Sequence, residues 1–289
     1  MAILEATQEH QPYTEPAPTI VIRPTRGWAF LDLRELWTHA ELIYFLTSRN
    51  IKVRYKQTSI GIAWAVLQPL AMMVVFTLFF GRLAKLPSAG VPYPLFAFAG
   101  LLPWQLFSRV INESTNSLIM NQRLITRVYF PRIIIPISVT LGALVDFAIS
   151  AVLMLGLMWI YGFKPGATII WLPVFVLLLL LASLGVGFWL SALNVEFRDV
   201  AHAMPFLSQL WLFVTPVVYP SSLVPASWQV LYGLNPMAGV VEGFRYALLG
   251  AGPGPSQMLA VSSLVAVGLF VSGIAWFRRR ERVFVDVIG

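Results

Sequence analysis

The 289-residue sequence contains no cysteine. Disulfides and thiolate metal sites are therefore excluded, and redox chemistry gives no reading of compartment. Histidine occurs only as His10, His39 and His202, too scattered along the chain to suggest a metal cluster. Charge is the largest deficit. Asp, Glu, Lys and Arg make up 11% of the residues, against about 25% in a soluble domain. No Gly-Lys-Ser/Thr occurs, so the chain lacks the loop that would cradle ATP phosphates. A nucleophile elbow and an HExxH zinc motif are missing as well. These absences argue against catalysis by the chain alone: no catalytic residue, metal site or bound cofactor is expected.

What fills the sequence instead is apolar. Hydrophobic residues account for 58%, and the mean hydropathy is +0.75. The stretch IKVRYKQTSIGIAWAVLQPLAMMVVFTLFF begins with Lys52, Arg54 and Lys56, then carries no charge from Gln57 to Phe80. At about 1.5 Å per residue, about 20 apolar residues cross a hydrocarbon core about 30 Å thick. The fold class that follows is an all-α integral membrane protein with six transmembrane helices.

The first span reads as Gly61 to Phe80. The second lies within the uncharged run Leu86 to Ser108, over Tyr93 to Phe107. The third runs from about Ile133 to Tyr161, interrupted only by Asp146, and the fourth from Trp171 to Leu193. The fifth extends from near His202 to near Tyr219, and the sixth from Gln257 to Phe277. Between the last two lies PSSLVPASWQVLYGLNPMAGVVEGFRYALLGAGPGP, apolar but broken by five prolines. It reads as two short helices dipping back from one surface, or as an interfacial loop. Non-helical backbone at membrane depth requires protein or a wet cavity around it. Within this piece Glu242 and Arg245 stand three apart, close enough to pair on a helix.

An even number of spans puts both termini on one side. That side holds every Lys and Arg except Arg82, Lys85, Lys164 and Arg245, and the excess marks it as cytoplasmic. The net charge of +7 then needs no nucleic acid to explain it. Residues 1–25 read as a disordered polar tail with no apolar signal region. Residues 26–56 hold the basic cluster and an amphipathic interface helix. Its apolar face is Leu33, Leu36, Trp37, Ala40, Ile43 and Tyr44, with Asp32, Arg34, Glu35, His39 and Glu41 opposite. Residues 57–289 form the six-span domain. Asn112 to Arg132 reads as a polar connector between spans two and three, and Asn194 to Val200 as a tight polar turn. Asp146, a mid-span acid costing about 2.5–3.5 kcal/mol, is expected to be hydrogen-bonded between helices rather than to couple ion movement. A kink is expected at Gln68-Pro69, because Pro69 lacks an amide hydrogen.

Taken in order, RYKQTSIGIAWAVLQPL, GVPYPLFAFAGLLPWQLF, LITRVYFPRIIIP, ALNVEFRDV, QLWLFVTPVVYP and LNPMAGVVEGFRYALLG resemble the permease subunit of bacterial polysaccharide exporters. These are type-2 ABC transporters carrying O-antigen, capsule or teichoic-acid chains across the cytoplasmic membrane. The resemblance covers about Trp37 to Phe277. It implies a homodimer working with two copies of a separate ATPase subunit, which would hold ATP and Mg. It also implies a lipid-linked glycan substrate threaded through a channel, and re-entrant helices at an outer gate, with Asn235, Glu242 and Arg245 as gate candidates. Arg123, Arg127 and Tyr129 would form a coupling helix against the ATPase, and Glu196, Arg198 and Asp199 a second contact. Phe76, Phe107, Trp211 and Tyr219 are candidates to line the channel, since aromatic faces meet hydroxylated surfaces without committing a charge. A drug or lipid exporter would share this topology. A membrane glycan polymerase or acyltransferase would need acids or histidines that the sequence does not supply.

Overall fold

A computed structural model describes residues 33–56, 61, 63–252, 254, 256–281 and 284. The expected tail at 1–25, the junction at 57–60 and the positions of Asp32 and the Arg34 side chain lie outside the described residues. Every regular element among them is helical. In chain order these are α1 (Leu33–Thr38), α2 (Ala40–Lys56), α3 (Ala63–Phe76), α4 (Tyr93–Met120), α5 (Gln122–Arg127), α6 (Ile134–Ile160), α7 (Leu172–Glu196), α8 (Asp199–Val214), α9 (Ala226–Tyr232), α10 (Pro236–Leu249) and α11 (Gln257–Arg280).

Among the described residues, five helical stretches are long and apolar enough to cross a membrane: Ala63–Leu83, Tyr93–Met120, Ile134–Ile160, Ala167–Glu196 and Gln257–Arg280. The expected fifth span is shorter than its apolar run. Helix α8 starts at Asp199 and stops at Val214 because Thr215 precedes Pro216, which disfavours helical backbone at Thr215 and supplies no amide hydrogen. Its 16 residues rise only about 24 Å. The broken piece folds into a 3-10 turn (Ser221–Leu223), then α9 and α10. Asn235 caps α10, its side-chain oxygen accepting from the Met237 amide at 3.1 Å, and Pro236 supplies a preset first turn.

Two expectations are corrected here. Helix α4 does not end near Phe107. It runs on to Met120, because neither Gly nor Pro interrupts Phe107–Met120, and Ser114, Thr115, Ser117 and Leu118 are buried rather than part of a polar connector. Helix α3 passes through Pro69 in unbroken α conformation, so no break falls at Gln68-Pro69. The departure comes later, where Thr77–Leu83 widens into π-helix. The tight turn between α7 and α8 is present, with only Phe197 and Arg198 between them.

Helix α4 is the axis of the bundle. Of its most apolar stretch 78% is buried, against 17% for the stretch containing α3 and 28% for the other three. It packs on α6, α7, α8 and α10 and buries Phe96, Phe98, Leu101, Phe107 and Ile111. Helices α7 and α11 make the most extensive pair. A Cβ on Gly185 would lie 2.6 Å from the Phe270 amide nitrogen, so the two backbones touch only because glycine stands there. A second core cluster joins Leu46, Leu118, Ile125, Phe188 and Phe277. The expected amphipathic helix is divided at His39 into α1 and α2. Its apolar residues also separate: Leu36 and Ile43 pack against this second cluster, while Trp37 and Tyr44 are exposed.

Candidate functional site

Among the described residues, two groups of charges sit between the apolar helices. The first is the pair Arg245 and Glu242 on α10, bonded at 3.2 Å and almost wholly buried. The Arg245 guanidinium donates to the carbonyls of Pro216 (2.6 Å), Val217 (2.6 Å), Tyr219 (3.2 Å) and Phe96 (3.4 Å), and lies 3.6 Å from the Phe96 ring centroid. Glu242 accepts from the Ser221 amide at 2.9 Å. The chain leaving α8 is irregular, so its carbonyls lack helical partners, and one arginine supplies their donors. Gly100 makes the room: a Cβ there would lie 2.8 Å from the Arg245 Nη2.

The second group joins α2, α4 and α6. Asp146 accepts from Arg54, Tyr55 and Arg109, and Arg54 also grips Glu113 through bonds of 2.6 and 2.7 Å. The expected hydrogen bonding of Asp146 between helices is thus present, through partners far from it in sequence. Arg54 had been absorbed into a basic flank, and Arg109 and Glu113 fell beyond the expected end of the second span. The available signal was Arg109 and Glu113 at i,i+4 on a helix with no breaker before Asn121. Two cations and two anions leave the group formally neutral. It is only half closed, with the Asp146 side chain 12% exposed and that of Glu113 38%.

The aromatic candidates fall into two settings. Phe76 and Phe107 are buried within the chain, whereas Trp211 and Tyr219 keep exposed surface. Phe107 meets Trp211 edge-on at 5.0 Å. The Trp211 indole donates to Asn235 Oδ1 at 3.1 Å, and Asn235 in turn donates to Thr215. Tyr219 and Tyr232 share a hydroxyl bond of 2.8 Å, and each hydroxyl also meets a carbonyl at the end of α8. Asn235, Glu242 and Arg245 therefore all touch the irregular segment after α8.

At the basic end, Arg123 and Arg127 lie exposed on α5, with Tyr129 exposed beyond it. Glu196 does not share their freedom, because it pairs with Arg280 at 2.5 Å. Arg198 and Asp199 are exposed at the turn. Asn194, fully buried beside them, was not singled out from the sequence. Its amide donates to the Thr115 carbonyl and its oxygen accepts from the Ala201 amide, tying α7 to α4 and α8. Arg132 binds Glu281, and Arg278 binds Glu35 on α1. Burial pushes the Glu281 carboxyl above its usual range, against the opposing pull of the Arg132 amide and Arg278.

Residues 41–249 match the family described as ABC-2 type transporter. The O-antigen export system permease protein RfbA of Myxococcus xanthus is 32% identical over 259 residues, covering 89% of this chain and 98% of the relative. RfbA of Klebsiella pneumoniae is 24% identical over 249 residues, covering 86% and 95%. The polysialic acid transport protein KpsM of Escherichia coli is 27% identical over 245 residues, covering 82% and 92%.

Proposed function

The chain belongs to the ABC-2 type transporter family, and we propose that it is the permease subunit of an ATP-driven exporter of lipid-linked glycan. The observation that carries this reading is the near full-length match to permeases named for O-antigen and polysialic acid export. In this reading two copies of the chain form the conduit in the bacterial inner membrane. Two copies of a separate ATPase subunit hold ATP and Mg and drive the cycle.

The same reading assigns roles to the parts described above. Helices α1 and α2 lie at the cytoplasmic interface, where exposed Trp37 and Tyr44 meet headgroups. Helix α8 and the segment Thr215–Tyr219 together complete a sixth span, which keeps both termini cytoplasmic. Helices α9 and α10 re-enter from the outer side as the gate, steadied by Asn235, Glu242 and Arg245. Trp211 and Tyr219 face the glycan, with Phe107 and Phe76 behind them. The exposed cations Arg123 and Arg127, with Tyr129, dock on the ATPase; Glu196, Arg198 and Asp199 border that contact.

Deleting the gene tests the transport reading. Surface glycan should disappear and lipid-linked glycan accumulate inside, and unchanged surface glycan would overturn it. The coupling assignment has its own test. Arg123→Glu with Arg127→Glu should leave the permease inserted while sharply reducing co-purification of the ATPase and export, because reversed charge opposes a complementary partner face. Normal co-purification and export would refute that role.

A further inference from the structure

A cavity of about 400 Å³ opens between α3, α4 and α6, closed at one side by Leu212 of α8. Its floor is Arg109, Glu113 and Asp146, three members of the charged group that Arg54 completes. Gln68 on α3, exposed on the surface of the chain, and Gln105 on α4, half-buried, line the walls, and neither amide makes a hydrogen bond to the described residues. Asn112, also in the wall, spends its NH2 on the Ser108 carbonyl and Ser208, and its Oδ1 is buried without a partner. Trp104 adds an aromatic surface, packed against Phe107 at 5.6 Å.

A buried unpaired amide oxygen such as that of Asn112 is costly within apolar spanning helices unless something polar meets it. The size of this cavity falls in the range of ordinary ligand sites, about 300–1000 Å³. Amides, a carboxylate floor and one aromatic face suit a neutral ligand dense in hydroxyls, since each hydroxyl both donates and accepts. A phosphate fits poorly. Both arginines are already committed to carboxylates, and an incoming anion would meet Glu113 and Asp146 without a net positive field.

We propose that this cavity, walled by Gln68, Gln105, Asn112 and Trp104, is a binding site for a sugar unit of the exported glycan. The proposal rests on the glycan-export reading. It places the contact within one chain, on α3, α4 and α6, and on amides rather than on an aromatic lining alone. Binding there is reversible, because the wall amides offer neutral hydrogen bonds and a conduit must release at each step.

The absence of native cysteine allows a direct test in cells carrying the complete exporter. Gln105→Cys is treated with a methanethiosulfonate reagent, which reacts with thiols that water can reach. One culture makes glycan, and a second has glycan assembly blocked but keeps its lipid phosphate carrier. Leu264→Cys, exposed on the apolar flank of α11, serves as the control. The expected result is labelling at position 105 in the blocked culture and its loss while glycan is being exported. Equal labelling in both cultures would mean the cavity holds water only, and would overturn the proposal. No labelling in either would mean a closed cavity or one filled by the lipid phosphate, and would overturn it too. If Gln105→Cys fails to accumulate, Gln68→Cys on the opposite wall gives the same readout. Failure of the export reading is recognised separately, by surface glycan that persists in the deletion strain.

Discussion

The two charged groups within the bundle contain the same kinds of residue and are built for different ends. Around Arg245 nearly every donor is used, and its principal acceptors are backbone carbonyls that have no helix to satisfy them. Glu242 balances the charge, and both side chains are sealed from solvent. The group around Asp146 instead ties side chain to side chain across α2, α4 and α6, and one flank opens onto the polar cavity. A sealed charge that holds backbone has a single arrangement, because any displacement leaves several carbonyls unpaired. A half-open cluster of two acids and two arginines keeps an alternative partner within reach, since Arg109 also lies 3.9 Å from Glu113. The first is a structural pin. The second is a junction that ties α2 to the core helices α4 and α6.

The contrast is open to breaking by substitution. Arg245→Leu should have the largest effect, about 3–5 kcal/mol, because it leaves Glu242 buried without its partner and uncouples the segment after α8. Thermal unfolding in detergent measures the loss, and Arg245→Leu with Glu242→Leu should recover part of it. Asp146→Asn should cost less, about 1.5 kcal/mol, the lower end for a hydrogen bond to a charged group, since Arg54 keeps Glu113. Equal losses from Arg245→Leu and Asp146→Asn would erase the distinction between pin and junction. The smallest effect is expected for Arg280→Gln. Its pair with Glu196 is partly exposed, with side chains 40% and 22% accessible, and such pairs contribute about 0–1 kcal/mol. A shift as large as that of Asp146→Asn would show that the basic end carries more of the stability than its exposure suggests.

The same two groups show where the sequence was legible. Glu242 and Arg245 stand three apart in one short helix, so their pairing followed from local geometry. Asp146 was conspicuous as a charge in an apolar run, but its partners come from positions 54 and 109, on other helices. No local pattern connects them. Helix α4 was cut short for a related reason. A polar stretch such as Asn112–Ser117 reads as a connector until buried neighbours are known, and Asn194 supplies one of them by bonding Thr115. The end of α8 erred in the other direction: hydropathy continued past Val214, while the Thr215-Pro216 backbone could not stay helical. Pro69 was tolerated because a proline inside a helix removes one hydrogen bond without requiring a break.

By itself the sequence determined the solvent and the vocabulary of the fold. Uncharged runs of span length, the distribution of Lys and Arg, the missing phosphate loop and the ordered motifs are properties of the chain alone. They sufficed for a helical membrane permease. Tertiary structure decided which polar groups meet. Arg54, Arg109, Glu113 and Asp146 converge only when α2, α4 and α6 pack together. Gln68 and Gln105 face one cavity only when α3 lies against α4. The reason is the range of the forces involved. Hydrophobic burial and helix formation act on composition and on neighbours a few residues apart, whereas hydrogen bonds and ion pairs act over a few ångströms between groups that the fold alone brings together.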